Sequence, residues 1–253
     1  MGVVNRHIGS TLFGLALVFA VPAGATTWEP QQVPDPIKPG GVCQVSVPAS
    51  YGSYIYDWPS KYDQVFWPLI DTHGIWFCAS SGFVAFISDF KDLPDVDRAK
   101  IAAYLAKNSK VGVEPDLMGK LQRMEEVYAL RTKDRAFQIT LLRALAYLHE
   151  EHGDQAGATR LRHKALEEIR QVLAAAPGEQ QRLEYLFVSA AYEREFGNDR
   201  ASDEALKKLD EALANNKNEK LANYVKYLTE LKHDVPRIAP GGRLAPEPLD
   251  KKP

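Results

Sequence analysis

The chain has 253 residues, of which 45% are hydrophobic and 25% are charged, a composition typical of a globular protein and unlike that of a fibrous or disordered chain. Its 31 lysines and arginines are balanced by 33 aspartates and glutamates, which leaves a net charge of −2. This balance disfavours binding to nucleic acid, because a nucleic-acid-binding domain usually carries a basic surface.

The first 25 residues have the three zones of a secretory signal peptide. Arg6 and His7 precede an apolar run over residues 12–20, and Ala23-Gly24-Ala25 is a small-residue pattern that a signal peptidase accepts. The apolar run is too short for a permanent membrane-spanning helix. We therefore predict cleavage after Ala25 and a periplasmic or secreted product without stable membrane insertion; an uncleaved anchor is the alternative.

Proline-rich segments flank the central part of the chain. Residues 26–41 carry four prolines and residues 234–253 carry five. Prolines at this density favour extended chain, so we predict a linker over the first segment and a disordered tail over the second. Either segment could instead be a proline-rich ligand for a partner.

Aromatic residues are concentrated between residues 51 and 90, a stretch that holds 12 of the chain's 25. Two short apolar runs, at residues 75–78 and 83–87, are separated by turn formers, which favours strands over helices. We predict a small β-rich, aromatic-rich ribbon subdomain over residues 42–93.

Three tryptophans recur every nine residues in this segment, at Trp58, Trp67 and Trp76. Buried packing in a small subdomain is one explanation for them. An exposed platform for a peptide or a glycan is the other, and only surface exposure separates the two.

Beyond Leu93 the apolar residues take a helical period, which predicts a domain of about seven helices over residues 94–233. Helix starts and ends are marked by capping residues, by Pro115 in a first turn, and by glycine or Pro-Gly stops. The later predicted helices run over Asp134 to His152, Asp154 to Ala176, Leu183 to Phe196, Ala205 to Leu213 and Leu221 to Leu231, after two that begin near Asp95 and Pro115.

A helix, a glycine turn and a second helix occur twice in this domain. The segment from Ala146 to Asp154 aligns with the segment from Ala191 to Asn198 at an offset of 44 to 45 residues. Because neither copy can bury its apolar face alone, the repetition predicts tetratricopeptide-like antiparallel helix hairpins that stack on each other. An ordinary helical bundle satisfies the same periodicity.

The two cysteines, Cys43 and Cys78, both lie beyond the predicted cleavage point. Exported thiols tend to pair, so a disulfide is expected, with free thiols or a retained metal as the alternatives. Each cysteine is followed three residues later by a serine, Ser46 and Ser81, where a Cys-x-x-Cys zinc knuckle would have its second thiolate. Serine is a poor zinc ligand, so we expect that the metal was lost, that no cofactor is bound, and that a disulfide replaces the metal.

These residues resemble a bacterial domain-of-unknown-function family, domain of unknown function 2225, which joins a Cys-x-x-Cys ribbon to tetratricopeptide-like helices. The resemblance is carried by residues 76–86, by Asp89-Phe90 and by residues 192–198, and it extends over about Cys43 to Lys232. It implies a degenerate zinc ribbon followed by helices. The chain departs from the family pattern in its two serines and in its secretion signal, and the resemblance implies no established activity.

Two groups of residues that contain histidine suggest other sites. Asp57, Asp71 and His73 could form an acid–base or metal site beside the aromatic residues, although a solvated loop explains them as well. His149 and His152 share a helix face, with His163 on the next helix, an arrangement that could chelate a transition metal or simply occupy a helix end.

The sequence therefore predicts an exported, non-enzymatic scaffold that binds a protein or peptide partner of the cell envelope. Stacked hairpins leave a groove lined by the first helix of each pair. The groove residues we predict are Arg143, Tyr147, Tyr185 and Tyr192. The alternative is a hydrolase or metal-dependent enzyme that uses Asp71 and His73.

Overall fold

A computed structural model describes residues 28–49, 73–110 and 112–241 of the chain. The described part is mainly helical, with a small β-rich region before the helices, as predicted, and its strands form two antiparallel hairpins. The strands are β1 (Trp28–Pro34), β2 (Val42–Pro48), β3 (Ile75–Phe77) and β4 (Val84–Phe86). The helices are α1 (Asp95–Asn108), α2 (Leu117–Ala129), α3 (Arg135–Glu151), α4 (Gln155–Ala174), α5 (Glu179–Glu195), α6 (Asp199–Asn215) and α7 (Ala222–Leu231), and 3₁₀ segments cover Glu219–Leu221 and Lys232–Arg237.

Seven residues of the predicted linker over residues 26–41 form strand β1, so the linker prediction is wrong there. β1 pairs with β2 in a register that runs from Trp28 opposite Pro48 to Pro34 opposite Val42. Pro30 and Pro34 have the same parity along β1, and therefore their nitrogens face the same side of the strand. An edge strand tolerates proline whose nitrogen points away from its partner, because no ladder hydrogen bond is lost.

Aspartates cap helices α2, α3 and α4. Asp116, Asp134 and Asp154 each accept a hydrogen bond from the backbone N–H three residues later, at 2.8, 2.8 and 2.9 Å. These bonds satisfy amides that have no partner inside the helix. Two predicted starts shift by a residue or two, since α1 is preceded by Pro94 rather than capped by Asp95, and Pro115 lies before the cap of α2.

Helices α3 and α4 form a first hairpin, and α5 and α6 form a second. The turns of both hairpins have the same backbone. Gly153 and Gly197 have φ values of +87° and +77°, and the N–H of the next residue donates back to the carbonyl five residues earlier at 2.8 Å in each case. This is a Schellman turn, which needs a residue in the left-handed region and therefore favours glycine. The glycines set the offset between the hairpins at 44 residues.

Two hydrophobic clusters, which we call the first core and the second core, form the interior. The first combines residues of β1 to β4 with residues of α1 to α3 and Leu161 of α4, and the second is built from α3 to α7 with Val235 and Ile238. The predicted boundary between residues 93 and 94 therefore runs through one shared core. A hydrogen bond of 3.1 Å from the Phe86 N–H to the Tyr128 hydroxyl joins the β region to α2 inside it.

The C-terminal 3₁₀ segment covers α5. Val235 and Ile238 are buried in the second cluster, and the Gly241 N–H donates to the carbonyl of Glu195 at 2.6 Å. The prediction of a disordered tail from residue 234 onward is therefore wrong for residues 234–241. Two apolar side chains three residues apart are enough to hold this piece of chain against the helix.

Candidate functional site

A disulfide between Cys43 and Cys78 confirms the pairing that the sequence predicted. It joins strand β2 to the turn that follows β3, with Cα atoms 4.7 Å apart. Both sulfurs are buried, Cys43 being 1% and Cys78 0% exposed. Because solvent does not reach the bridge, it fastens two parts of the first core rather than offering a reactive thiol to other molecules.

Only one of the two serines lies in a knuckle. The Ser81 and Gly82 N–H groups donate to the Cys78 carbonyl at 3.3 and 2.6 Å, and the positive φ of Gly82, +77°, closes this tight turn. Ser46, in contrast, lies on strand β2, three residues from Cys43 and so on the opposite face of the strand. The interpretation of residues 43–46 as a degenerate knuckle is therefore wrong.

A buried aspartate that the sequence analysis missed lies beside the bridge. Asp35 is 8% exposed and accepts hydrogen bonds from the N–H groups of Ile37 and Lys38 at 2.8 and 3.1 Å. Its second oxygen accepts the hydroxyl of Ser80, which in turn lies 3.1 Å from the Cys78 sulfur. One carboxylate oxygen and the two sulfurs lie within 4.8 Å of one another, but both sulfurs are used by the disulfide.

The predicted partner groove is not an open surface. Arg143, Tyr185 and Tyr192 are buried, and only Tyr147 is half-buried. Tyr185 and Tyr192 are buried because α5 is surrounded by other elements. It packs against α4, α6, α7 and the C-terminal 3₁₀ segment, and it is buried continuously over residues 185–193. Arg143 forms an ion pair of 2.6 Å with Glu184 instead of facing a partner.

The alternative enzymatic site is only partly described. Asp57 and Asp71 lie outside the described residues, as do Trp58 and Trp67. His73 is exposed and stacks on Trp28 with ring centroids 5.0 Å apart. Trp76, the third tryptophan of the nine-residue spacing, is buried and donates its indole N–H to the Ser46 carbonyl at 2.7 Å, which makes it a core residue.

The three helical histidines do not converge. His152 is exposed, and His163 stacks on Phe196 with centroids 3.7 Å apart. His149 is 5% exposed, and its Nδ1 lies 2.7 Å from the Oδ2 atom of Asp154. A chelate of His149 with His152 or His163 is therefore absent from this arrangement.

His149 lines an open cleft of about 680 Å³ between α2 and the first hairpin. The charged lining consists of Asp116, Glu125, Glu126 and Asp154 on the acidic side and Arg160 on the basic side. Arg160 binds both oxygens of Glu125, at 2.8 and 2.5 Å. The Gly157 N–H, followed by the hydrogen bond with His149, lowers the pKa of Asp154, so its carboxylate stays ionised at neutral pH.

A second open cleft, of about 530 Å³, adjoins the first along α4. Its lining combines Leu142 with charged and polar residues, among them Lys133, Arg135, Gln138 and Glu168. Lys164 lines this cleft and also lies 3.8 Å from Glu125 of the first one. We call the two clefts and the exposed side of α4 between them the α4 face.

No family model, curated protein or solved structure matches this chain. Within the ranges that the structure describes, no helix has both the length and the apolar character needed to cross a bilayer.

Proposed function

We propose that this chain is an exported, non-enzymatic protein that binds a protein or peptide partner of the cell envelope through the α4 face. The observation that carries the proposal is the pair of adjoining open clefts on the first hairpin, lined by charged side chains of both signs. A surface of this kind selects a partner by complementary charge.

Export is supported by the buried bridge between Cys43 and Cys78. Disulfides persist in oxidising compartments such as the periplasm and are rare in the cytosol. The predicted signal peptide lies outside the described residues. A periplasmic or secreted location is the one in which the bridge would be stable.

The character of the surface supports a polar rather than an apolar contact. Among the described residues, the large hydrophobic side chains classed as exposed are Val42, Val96 and Val113, which lie on three separate segments. A contiguous apolar patch, the usual mark of an obligate interface, is therefore not formed by them. A reversible contact with a charged polypeptide segment suits such a surface better.

We also propose that the two hairpins are tetratricopeptide-like and that the resemblance to domain of unknown function 2225 reflects a shared ancestor. The support for the first statement is that two hairpins with the same turn follow each other at an offset of 44 residues and pack side by side through α4 and α5. The support for the second is the motif around Cys78 and the order of ribbon and helices.

The partner surface can be tested by site-specific photocrosslinking in cells. A photoreactive residue at Gln122, in the first cleft, and one at Gln138, in the second, should each trap the same polypeptide. The matched control is the same residue at Lys207, exposed on α6. Equal trapping from position 207, or no product from either cleft position, would overturn the proposal.

Export is tested separately by mass spectrometry of unreduced protein from fractionated cells. The expected species lacks residues 1–25 and two hydrogens, which report cleavage and the disulfide together. Full-length reduced protein in the cytosolic fraction would contradict export.

A further inference from the structure

We infer that the cleft between α2 and the first hairpin binds a divalent transition-metal cation of the zinc class through the Nε2 atom of His149 and the carboxylate of Glu125. Water molecules would complete the coordination shell. The inference goes beyond the proposed partner binding and does not depend on it.

The imidazole of His149 is fixed by a carboxylate on its other nitrogen. Nδ1 lies 2.7 Å from Oδ2 of Asp154, while Oδ1 of Asp154 accepts the Gly157 N–H at 2.9 Å. A carboxylate oxygen at hydrogen-bond distance from Nδ1 accepts a hydrogen bond from the proton on that nitrogen, so the lone pair lies on Nε2. Metal-binding histidines are commonly oriented by a carboxylate on their other nitrogen in this way.

The free nitrogen faces an acidic group and lacks a hydrogen-bond partner. His149 is 5% exposed, and its Nε2 is a buried polar atom without a hydrogen bond in the described part of the chain. The nearest carboxylate oxygen is Oε1 of Glu125 at 3.8 Å, too far for a hydrogen bond. Two ligands of a tetrahedral zinc ion at ~2.0–2.1 Å stand roughly 3.4 Å apart, so a small rotation of Glu125 would bring both within bonding distance.

Room for the pair of side chains depends on Gly157. A Cβ atom at this position would lie 2.5 Å from Nδ1 of His149 and 2.3 Å from Oδ2 of Asp154, distances that side chains do not tolerate. Glycine in the first turn of α4 carries a cost in helix stability of roughly 1 kcal/mol relative to alanine. Glycine is therefore found at position 157, where the Cβ of an alanine would displace the imidazole of His149.

The second hairpin shows what this turn looks like without the site. At an offset of 44 residues, Glu193, Asn198 and Ala201 stand at the positions of His149, Asp154 and Gly157. There the Asn198 side chain donates to Glu193 at 3.0 Å. The backbone turn is the same, so the imidazole, the carboxylate and the glycine are not needed to build it.

The charge of the cleft favours a cation. Asp116, Glu125, Glu126 and Asp154 outnumber the single arginine of the lining. Arg160 and Lys164 both approach Glu125 and would remain as outer partners of the ligating carboxylate, a common arrangement around metal ligands. Imidazole and carboxylate together suit zinc, cobalt and nickel better than calcium or magnesium.

Calorimetric titration of untagged, oxidised protein with Zn²⁺ alone tests the inference, with Co²⁺ absorption as a spectroscopic check. The expected result is one bound ion per chain. Keeping the disulfide oxidised removes both sulfurs as ligands, so any 1:1 binding must use other groups.

Four variants locate the ion. His149→Gln and Glu125→Gln should abolish saturable binding, and Asp154→Asn should weaken it by roughly 10- to 100-fold because it removes an outer-shell carboxylate. The matched control is His152→Gln, which changes an exposed histidine at the same helix end and should bind as the wild type does.

If His149→Gln fails to fold, as shown by its circular dichroism, Glu125→Gln decides, because this side chain lies on the cleft wall and is only half-buried. The inference is overturned if the wild type binds no Zn²⁺, or if Glu125→Gln or a folded His149→Gln binds it as tightly as the wild type. Loss of photocrosslinks with intact Zn²⁺ binding would instead count only against the proposed partner contact.

Discussion

The two helix hairpins share one backbone but differ in what they bury. Helices α4 and α6 bury apolar side chains at equivalent positions, for example Ala165 and Leu209, or Ile169 and Leu213. At Arg162, however, the first hairpin buries a charge where the second has the half-buried Leu206. The hairpin fold therefore requires the apolar register and the turn glycine, and it does not require a buried charge at the position of Arg162.

The buried charges of the first hairpin form a connected group with one carboxylate of the second. Arg162 is 0% exposed and lies 2.6 Å from Glu150 of α3, and Glu195 of α5 is buried close by. Replacing a buried ion pair by apolar residues is often neutral for stability, so such groups are weak evidence of stabilisation. Because Glu195 belongs to α5, the group joins the two hairpins and indicates a role in fixing how α3, α4 and α5 meet, beside the cleft that carries His149.

The largest expected effect comes from the bridge that fastens the first core. Changing both Cys43 and Cys78 to alanine should lower the free energy of unfolding by about 4 kcal/mol, because the bridge closes a loop with a sequence separation of 35. Urea denaturation measures the loss. Hydrogen exchange should show a greater loss of protection in α2 and α3 than in α5, since only the first core contains the bridge. An equal loss of protection in α2, α3 and α5 would contradict this difference between the two cores.

The next largest effect should follow from Arg162→Leu, which gives the first hairpin the residue of the second. Two buried carboxylates, Glu150 and Glu195, then lose their cation, and breaking a buried pair in this way costs at least about 3 kcal/mol. The matched exchange, Leu206→Arg, should cost about 1 kcal/mol or less because that site is half-buried. Thermal and urea unfolding of both variants check the pair, and similar values would refute the proposed difference.

Exchanging glycine and alanine between the first turns of α4 and α6 tests the difference between the hairpins through the sign of the change in the free energy of unfolding. In an ordinary helix Gly157→Ala would stabilise by roughly 1 kcal/mol, but here the added Cβ meets His149 and Asp154. We expect a net destabilisation of about 1 to 2 kcal/mol, as for other overpacked sites. Ala201→Gly, the reciprocal change, should cost about 1 kcal/mol through helix propensity alone. A stabilised Gly157→Ala protein would show that the imidazole has space to move.

The smallest effect is a change in pH dependence. Burial raises the pKa of Glu195 above its ordinary value of 4.5, while Arg162 opposes the shift and Glu150 adds to it. The folded state then holds the proton more tightly than the unfolded chain, so this contribution is complete below pH 4.5 and is lost as pH rises through the folded-state pKa. Glu195→Gln should flatten that fall in a series of urea denaturations, whereas Glu204→Gln, exposed on α6, should leave it unchanged.

Local signals in the sequence were enough for the helices. Aspartate caps and turn glycines act through the backbone within a few residues, so Asp134, Asp154 and Gly153 could be interpreted without knowing the tertiary structure. The disulfide followed from having only two cysteines in a chain with a predicted export signal. Strand β1 was missed because its prolines are typical of a linker, and their tolerance depends on the strand lying at an edge.

The sites depend on distant residues and were harder to predict. The prediction that one side of α5 faces an open groove was wrong. Apolar residues in fact lie all around this helix, a pattern typical of a core helix: Leu183, Tyr185, Leu186, Phe187 and Val188. Glu125 reaches His149 from another helix and leaves no periodic signal. Gly157 was the available hint, since a glycine near the start of a strong helical pattern often has a packing reason.

The position of the C-terminal 3₁₀ segment has a consequence for the order in which the two cores can form. The first core includes no residue beyond Leu161, so it can form before the second. The second core includes Val235 and Ile238, and thus the side of α5 that they cover stays uncovered until these two residues have packed against it. A chain that has formed only the first core therefore exposes apolar surface that the folded molecule buries, and such surface makes a folding intermediate prone to aggregate.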